Sequence, residues 1–213
     1  MFPIKAGLCA LGLLLPALSL AAELTVEVRG PEGQALEHAV AALLSEADDS
    51  DRPEAVMDQR DRQFAPYVLA VRTNTLVRFP NSDDIRHHVY SFSPAKRFEL
   101  RLYHGSTAEP VLFDQAGKVS LGCNIHDAML GYIYVVDSQW YDVSDSDGRA
   151  VLADIPAGDY DLQIQHPRLA EPLVQRISLA ADDTLNETIE LEALGPDPRA
   201  REPESDLQRL FDR

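Results

Sequence analysis

The chain has 213 residues, of which 19 are Lys or Arg and 35 are Asp or Glu, for a formal net charge of −16. Such acidity argues against a nucleic-acid ligand, because a polyanion would be repelled rather than neutralised. The length allows one large or two small domains, and two cysteines are too few for a disulfide-stapled scaffold.

Met1 to Ala22 reads MFPIKAGLCALGLLLPALSLAA, with one Lys, an apolar run and Ser19-Leu20-Ala21 as a small-x-small cleavage signal. Residues 1–22 thus read as a secretory signal peptide, which predicts export to the periplasm. The run is interrupted by Pro16 and is short for a membrane span, and no later stretch approaches one. Cleavage removes Lys5 and Cys9, taking the net charge from −16 to −17 and leaving Cys123 as the one cysteine. A lone thiol in an oxidising compartment is either buried and inert or engaged, and metal ligation would engage it.

Residues 23–46 open with Leu24 to Arg29, an alternating apolar and polar run, break at Gly30-Pro31-Glu32-Gly33, and resume at Ala39 to Leu44. This predicts a strand, a turn and a second strand. Residues 47–54 form an acidic, breaker-rich linker. From 55 to 138 the chain is β-rich with no long helical pattern. Strands are predicted at Tyr67–Val71, Leu76–Phe79, His87–Phe92, Val111–Phe113, Val119–Gly122 and Tyr132–Val136, with a turn over 115–118. Short strands at this spacing predict a Greek-key sandwich.

Residues 139–194 contain D-x-D-G-x-x-x-L-x-x-I-P-x-G-x-Y-x-L, from Asp145 to Leu162. This pattern resembles the carboxypeptidase regulatory-like, or prealbumin-like, β-sandwich module. Gly148 and Gly158 would serve its turns; Val151, Leu152, Ile155, Tyr160, Leu162 and Ile164 would supply its core. Asp145-Ser146-Asp147-Gly148 also has the start of a calcium loop, but the later ligands and the bidentate Glu are missing, so a hairpin turn is predicted. The module ordinarily begins with a strand, a turn and an A-V strand, and those signs occur at Leu24 to Leu44. The resemblance therefore implies one unit inserted between the halves of another; alternatively, residues 24–44 extend the first sheet. Ile177–Leu179 and Thr188–Leu191 read as the last strands, and residues 195–213 as a disordered or frayed tail.

The chemistry lies in LGCNIHDAMLGYIYVV, Leu121 to Val136. Cys123, His126 and Met129 recur at three-residue intervals, so one loop can carry a thiolate, an imidazole and a thioether to one ion. A fourth ligand has its best source at Arg86-His87-His88-Val89-Tyr90. Two imidazoles and a thiolate in a plane, with a long axial thioether, is the blue-copper arrangement. Zinc fits less well, since structural zinc takes four strong ligands and catalytic zinc keeps a position for water. A Cys123 and His126 nucleophile pair would leave Met129 and His87 unexplained. His87 and His88 cannot both face one ion from a single strand. His38, His104 and His166 have no ligand-spaced partners and are predicted at the surface.

Residues from about Phe64 to Val136 resemble the cupredoxins: F-x-P, then V-x-F-x-N-x-D, then H-x-V, and finally C-x-x-H-x-x-M-x-G. The last spacing is most similar to the amicyanin type, and the whole resembles periplasmic proteins described as methylamine utilisation or plastocyanin-like. The resemblance implies His87 rather than His88 as a ligand, with Cys123, His126 and Met129 completing a type 1 copper site. It implies that Asn81 and Asp83 pin loops, and that His88 stands at a position that braces the Cys loop. It also implies a non-enzymatic electron carrier whose partner is a c-type cytochrome or a periplasmic dehydrogenase. Two other readings are a copper storage or delivery protein and a structural module with an inert cupredoxin half. The fold class expected is all-β: a cupredoxin sandwich with a second small sandwich.

Overall fold

The computed structural model describes residues 21–45, 51–105, 109–126 and 128–200. Among these the chain forms strands and no helix. The first strands are β1 (Ala22–Arg29) and β2 (Val40–Leu44). Ten follow: β3 (Glu54–Val56), β4 (Asp58–Arg60), β5 (Gln63–Ala65), β6 (Val68–Arg72), β7 (Thr75–Arg78), β8 (His87–Ser93), β9 (Lys96–Tyr103), β10 (Val111–Phe113), β11 (Gly117–Gly122) and β12 (Leu130–Val136). The set is completed by β13 (Tyr141–Val143), β14 (Arg149–Ile155), β15 (Gly158–Gln165), β16 (Leu173–Leu179) and β17 (Thr184–Glu190).

Two sandwiches result. Strand β1 pairs antiparallel with β14 and parallel with β17, while β2 lies between β13 and β15, and β16 adds to β15. Every strand partner of β1 and β2 thus comes from beyond residue 140. The fully buried hydroxyl of Ser144 fastens that return: it donates to Leu36 O at 2.7 Å and accepts from Ala39 N at 2.8 Å. Leu24, Val26, Leu43, Leu152, Leu162 and Ile177 fill the core between the two sheets. The intervening strands build the other sandwich, in which a sheet of order β6-β12-β11-β8-β9 faces one of order β10-β7-β3. Val71, Phe79, Val89, Phe113, Val119 and Ile133 lie between them.

The sandwiches meet along a seam. Val40 and Ala42 of β2 pack against Val68 of β6 and Tyr132, Tyr134 and Val136 of β12. Strands β2 and β12 are consequently covered on both faces, which is why VAALL and YIYVV read as unbroken apolar runs rather than alternating ones. Lys118 Nζ also crosses the seam, donating to Pro167 O at 2.9 Å and lying 5.0 Å from the centre of the Tyr132 ring.

Several boundaries differ from those read in the sequence. Strand β1 begins at Ala22, one residue inside the stretch assigned to the leader; residues 1–20, residue 46 and the linker residues 47–50 lie outside the described residues. Residues 195–200 are docked, not frayed: Gly195 exchanges backbone and side-chain bonds with Arg168, and the Arg199 guanidinium lies 4.3 Å from the centre of the Tyr67 ring. The rest of that tail, 201–213, lies outside the described residues. The Asp145 segment is a hairpin turn, its carboxylate accepting from the Asp147 and Arg149 amides at 2.9 and 3.0 Å. Gly148 is required there, because its φ is +79° and a Cβ would stand 2.5 Å from Val28 O.

Of the three unassigned histidines, His104 is exposed and His38 is half-buried, but His166 is buried. The strand-end position of His166 carries it into the seam, where Nε2 faces Glu37 O at 3.2 Å and Nδ1 accepts from Arg168 N at 3.1 Å. Burial lowers its pKa to about 4; the Glu37 carbonyl opposes the shift, and the charges of Arg168, His38 and Lys118 reinforce it. Between the ordinary value near 6.5 and about 4 the unfolded chain binds the extra proton, so stability falls as pH falls through that window. The loss should reach about 3 kcal/mol. Urea unfolding of the wild type and His166→Gln between pH 4 and 7 checks this: the difference between the two curves should grow with pH and level off above 6.5. A flat difference would mean that the imidazole is solvated.

Candidate metal centre

Strand alternation and one irregularity set the histidine side of the centre. His87 opens β8 with its side chain fully inside the sandwich, and His88 faces the other way. The pairing of β8 with β9 slips between His87 and Val89, where a bulge re-aims the first residues of the strand. On the other side, β11 ends at Gly122, the chain turns through Cys123 to Met129, and β12 returns antiparallel to it. The turn is closed by Met129 N donating to His126 O at 2.9 Å.

This brings three of the predicted ligands together. The Cys123 sulfur lies 3.8 Å from His87 Nδ1 and 3.7 Å from His126 Nδ1, and the three atoms all lie within 4.8 Å of one another. Met129 is buried in the same core cluster as Cys123. One thiol proton cannot serve two imidazoles at once, whereas an ion can. With metal–nitrogen and metal–sulfur bonds of about 2.0 and 2.3 Å spread over a trigonal plane, sulfur and nitrogen stand about 3.7 Å apart. The observed separations match that value, and the donor set of soft sulfur and imidazole suits copper.

The outer bracing is as specific as the ligands. The distal nitrogen of His87, Nε2, lies 2.6 Å from the Asp83 carboxylate, which fixes the ring so that Nδ1 is turned toward the sulfur. The same carboxylate accepts from the Asp61 and Arg62 amides at 2.6 and 3.0 Å. Those two residues form the turn between β4 and β5 with φ of +54° and +59°, a left-handed pair that Asp83 holds in place. Burial works to raise the Asp83 carboxyl, but bonds from the Arg62 amide, His87 and the Asp61 amide outweigh it and hold the group below its ordinary value.

Asn81 is buried and fully used: Nδ2 donates to Ile85 O and Tyr103 O at 2.8 and 2.9 Å, and Oδ1 accepts from Asp83 N at 3.0 Å. It thus shapes the loop that carries Asp83 and His87. Tyr103, which the sequence did not single out, supports the same region. Its hydroxyl donates to Phe79 O at 2.8 Å and is bonded by Gln59, and burial pushes its pKa up to about 12. The Phe64 ring covers Gly131, where a Cβ would stand 2.7 Å from the Phe64 Cβ.

His88 departs from its predicted role. Its Nε2 lies 3.0 Å from Glu99 Oε1 on β9, an ion-pair distance without hydrogen-bond alignment, so its partner is the edge strand and not the Cys loop. His126 is part-exposed, and its neighbour Ile125 is an exposed apolar residue.

No protein-family model and no curated protein matches the sequence. Among solved structures, the chain is similar to a reduced tryptophan-to-tyrosine mutant of amicyanin, at 20% identity and a TM-score of 0.35, over 45% of this chain and 97% of that one. It is also similar to a purple cupredoxin from Nitrosopumilus maritimus, at 17% identity and a TM-score of 0.33, over 39% of this chain and 98% of that one. A copper-containing nitrite reductase from Thermus scotoductus matches at 21% identity and a TM-score of 0.37, over 44% of this chain and 25% of that one.

The Asp83 contact generates a direct expectation. Carboxylates that brace a ligating imidazole typically contribute a 10–100-fold effect on metal affinity. Asp83→Asn should therefore bind copper about 10–100-fold more weakly than the wild type in a competition titration against a chelator. It should also lose about 1–3 kcal/mol of stability, because an amide cannot accept all three of the native bonds. An unchanged affinity would show that the ring is held by packing alone.

Proposed function

We propose that residues 55–138 form a cupredoxin-type unit that holds one copper ion through His87, Cys123, His126 and Met129, and that the protein is a type 1 copper electron carrier. The observation that carries this reading is the convergence of two Nδ1 atoms on one buried sulfur at 3.7 and 3.8 Å. Copper in such a set supplies a one-electron couple between Cu(I) and Cu(II).

The remaining work belongs to the protein. Cys123 as thiolate, His87 and His126 as imidazoles and Met129 as a weak thioether donor would hold the ion. The strands around them leave little room to rearrange between oxidation states. Part-exposed His126, beside apolar Ile125, is the natural point of contact for a redox partner such as a c-type cytochrome or a periplasmic dehydrogenase. The leader at 1–22 supports periplasmic export, and the resemblance to methylamine utilisation proteins supports an amine dehydrogenase among the candidate partners.

The second sandwich, residues 23–46 with 139–194, is prealbumin-like in pattern and serves as scaffold or docking module. Charge divides along the same line. Residues 55–138 carry nine Lys and Arg and nine Asp and Glu, so the copper unit is neutral and the acidity of the chain resides elsewhere. Electrostatic steering would act through the second sandwich rather than through the metal face.

Titration of the mature chain with Cu(II) should give an intense visible band at one copper per chain that bleaches on reduction. Cys123→Ser and His87→Ala should abolish the band, His88→Ala should keep it, and Met129→Leu should keep it while moving the reduction potential. A colourless wild type, or colour that survives Cys123→Ser, would overturn the electron-carrier reading and favour copper storage or delivery.

A further inference from the structure

A cleft of about 590 Å³ lies against the outer face of β8 and β9 and takes in Gly122, Cys123 and Met129 of the Cys loop. Its wall is aromatic. Tyr90 and Phe92 stand 5.2 Å apart between ring centres, and Phe92 is 74% exposed with no partner strand covering it. Tyr90 lies directly over Gly122, where a Cβ would come within 2.8 Å of the ring, so this glycine lets the aromatic wall rest against the backbone adjoining Cys123. The polar end is His88 and Glu99. His88 is 8% exposed, its Nε2 has no aligned hydrogen-bond partner, and the half-exposed Glu99 carboxylate stands 3.0 Å away. The His88 imidazole holds one side of the Glu99 carboxylate, and the half-exposed remainder of that carboxylate stays open to a further donor at this end of the cleft.

An occupant must therefore be flat and apolar enough to lie along Tyr90 and Phe92. At one end it must carry a group that can donate to Glu99 and accept from His88. A hydroxyl does both, and a volume of about 590 Å³ is in the range of small-molecule sites. We propose that this cleft binds a monocyclic hydroquinone or phenol and makes the protein a one-electron oxidant of that ligand. The redox half of the proposal rests on the copper reading above; the binding half does not.

The step balances as follows. With copper held as proposed above, the ligand's O–H bond would break with its proton passing to a Glu99 carboxylate oxygen, and its electron would leave through Cys123, the ion supplying the Cu(II)/Cu(I) couple that takes it up. A neutral aryloxyl radical leaves the cleft. Glu99 and His88 touch the hydroxyl, while Tyr90 and Phe92 orient the ring against the strand that ends at Gly122, next to Cys123.

The probe is hydroquinone, used on the full mature chain in two forms. With the metal-free protein, ligand-observed NMR should report saturable binding that weakens at least tenfold in Phe92→Ala and for hydroquinone dimethyl ether, which has no O–H to donate. With the Cu(II)-loaded protein, stopped-flow reduction should saturate with hydroquinone concentration. Glu99→Gln should slow the limiting rate about 100-fold or more, in the range of general-base catalysis. Reduction by ferrocyanide, which needs no proton acceptor, should be unchanged in the same variant. Binding without any visible copper band would sink the copper reading and leave the ligand site standing. Absence of binding to the metal-free protein, or reduction that stays linear and indifferent to Glu99→Gln and Phe92→Ala, would overturn this proposal while leaving the carrier reading intact.

Discussion

The centre depends on one contact, the 2.6 Å bond between Asp83 and His87 Nε2. An imidazole has two nitrogens and an open χ2 rotation, so a buried histidine offers Nδ1 to a thiol only if something occupies Nε2. Asp83 does that, and its other bonds tie the β4–β5 turn to the same carboxylate. Asn81 then fixes the loop that presents Asp83, through bonds to Ile85, Tyr103 and Asp83 itself. The result is a chain of hydrogen bonds from a surface turn to the sulfur. Few of its members could be removed without leaving a buried donor unpaired.

The second constraint is the seam. Strand β12 carries the returning end of the Cys loop, and its two faces serve different partners: Ile133 and Val135 face the core of its own sandwich, Tyr132 and Tyr134 face β2. The Tyr134 hydroxyl is buried there without a hydrogen-bond partner, the Tyr67 hydroxyl interacts with Tyr132, and burial raises the pKa of both. The seam therefore tolerates polar atoms at a cost, which a purely passive spacer would have no reason to retain. Because Met129 lies just before β12, a shift of the second sandwich along this seam would reach the end of the loop that carries Cys123, His126 and Met129.

Much of this could be read in the residues because the informative signals were local. Cys123, His126 and Met129 lie within seven positions; strand alternation sends His87 and His88 to opposite faces, and the cupredoxin resemblance selects His87. The pairing of β1 and β2 with strands beyond residue 140 is legible only through the resemblance of both halves to one module; the local pattern alone leaves residues 24–44 free to extend the other sheet. The misses have a common cause. Strand β9, KRFELRLY, alternates charge with apolar residues and lies at a sheet edge, so its inward Phe98 and Leu100 were masked by exposed Arg97, Glu99 and Arg101. With β9 unread, Glu99 could not be placed beside His88, and His88 was assigned to the wrong neighbour. His166 was missed because only the seam buries it; nothing in Gln165-His166-Pro167 distinguishes it from a surface turn.

The two sides of Cys123 differ in a way that bears on how such a carrier could accept and deliver electrons. On the His126 side the nearest surface is a short loop with exposed Ile125, a convex feature suited to a macromolecular partner. On the Gly122 side the surface is concave, aromatic and furnished with a carboxylate. The sulfur is common to both. A protein that took electrons from a small molecule through one face and passed them to a protein through the other would not need to exchange one partner before meeting the next. Neutrality of residues 55–138 fits that division, because neither face then repels an uncharged ligand, and long-range attraction is left to the acidic sandwich behind the seam.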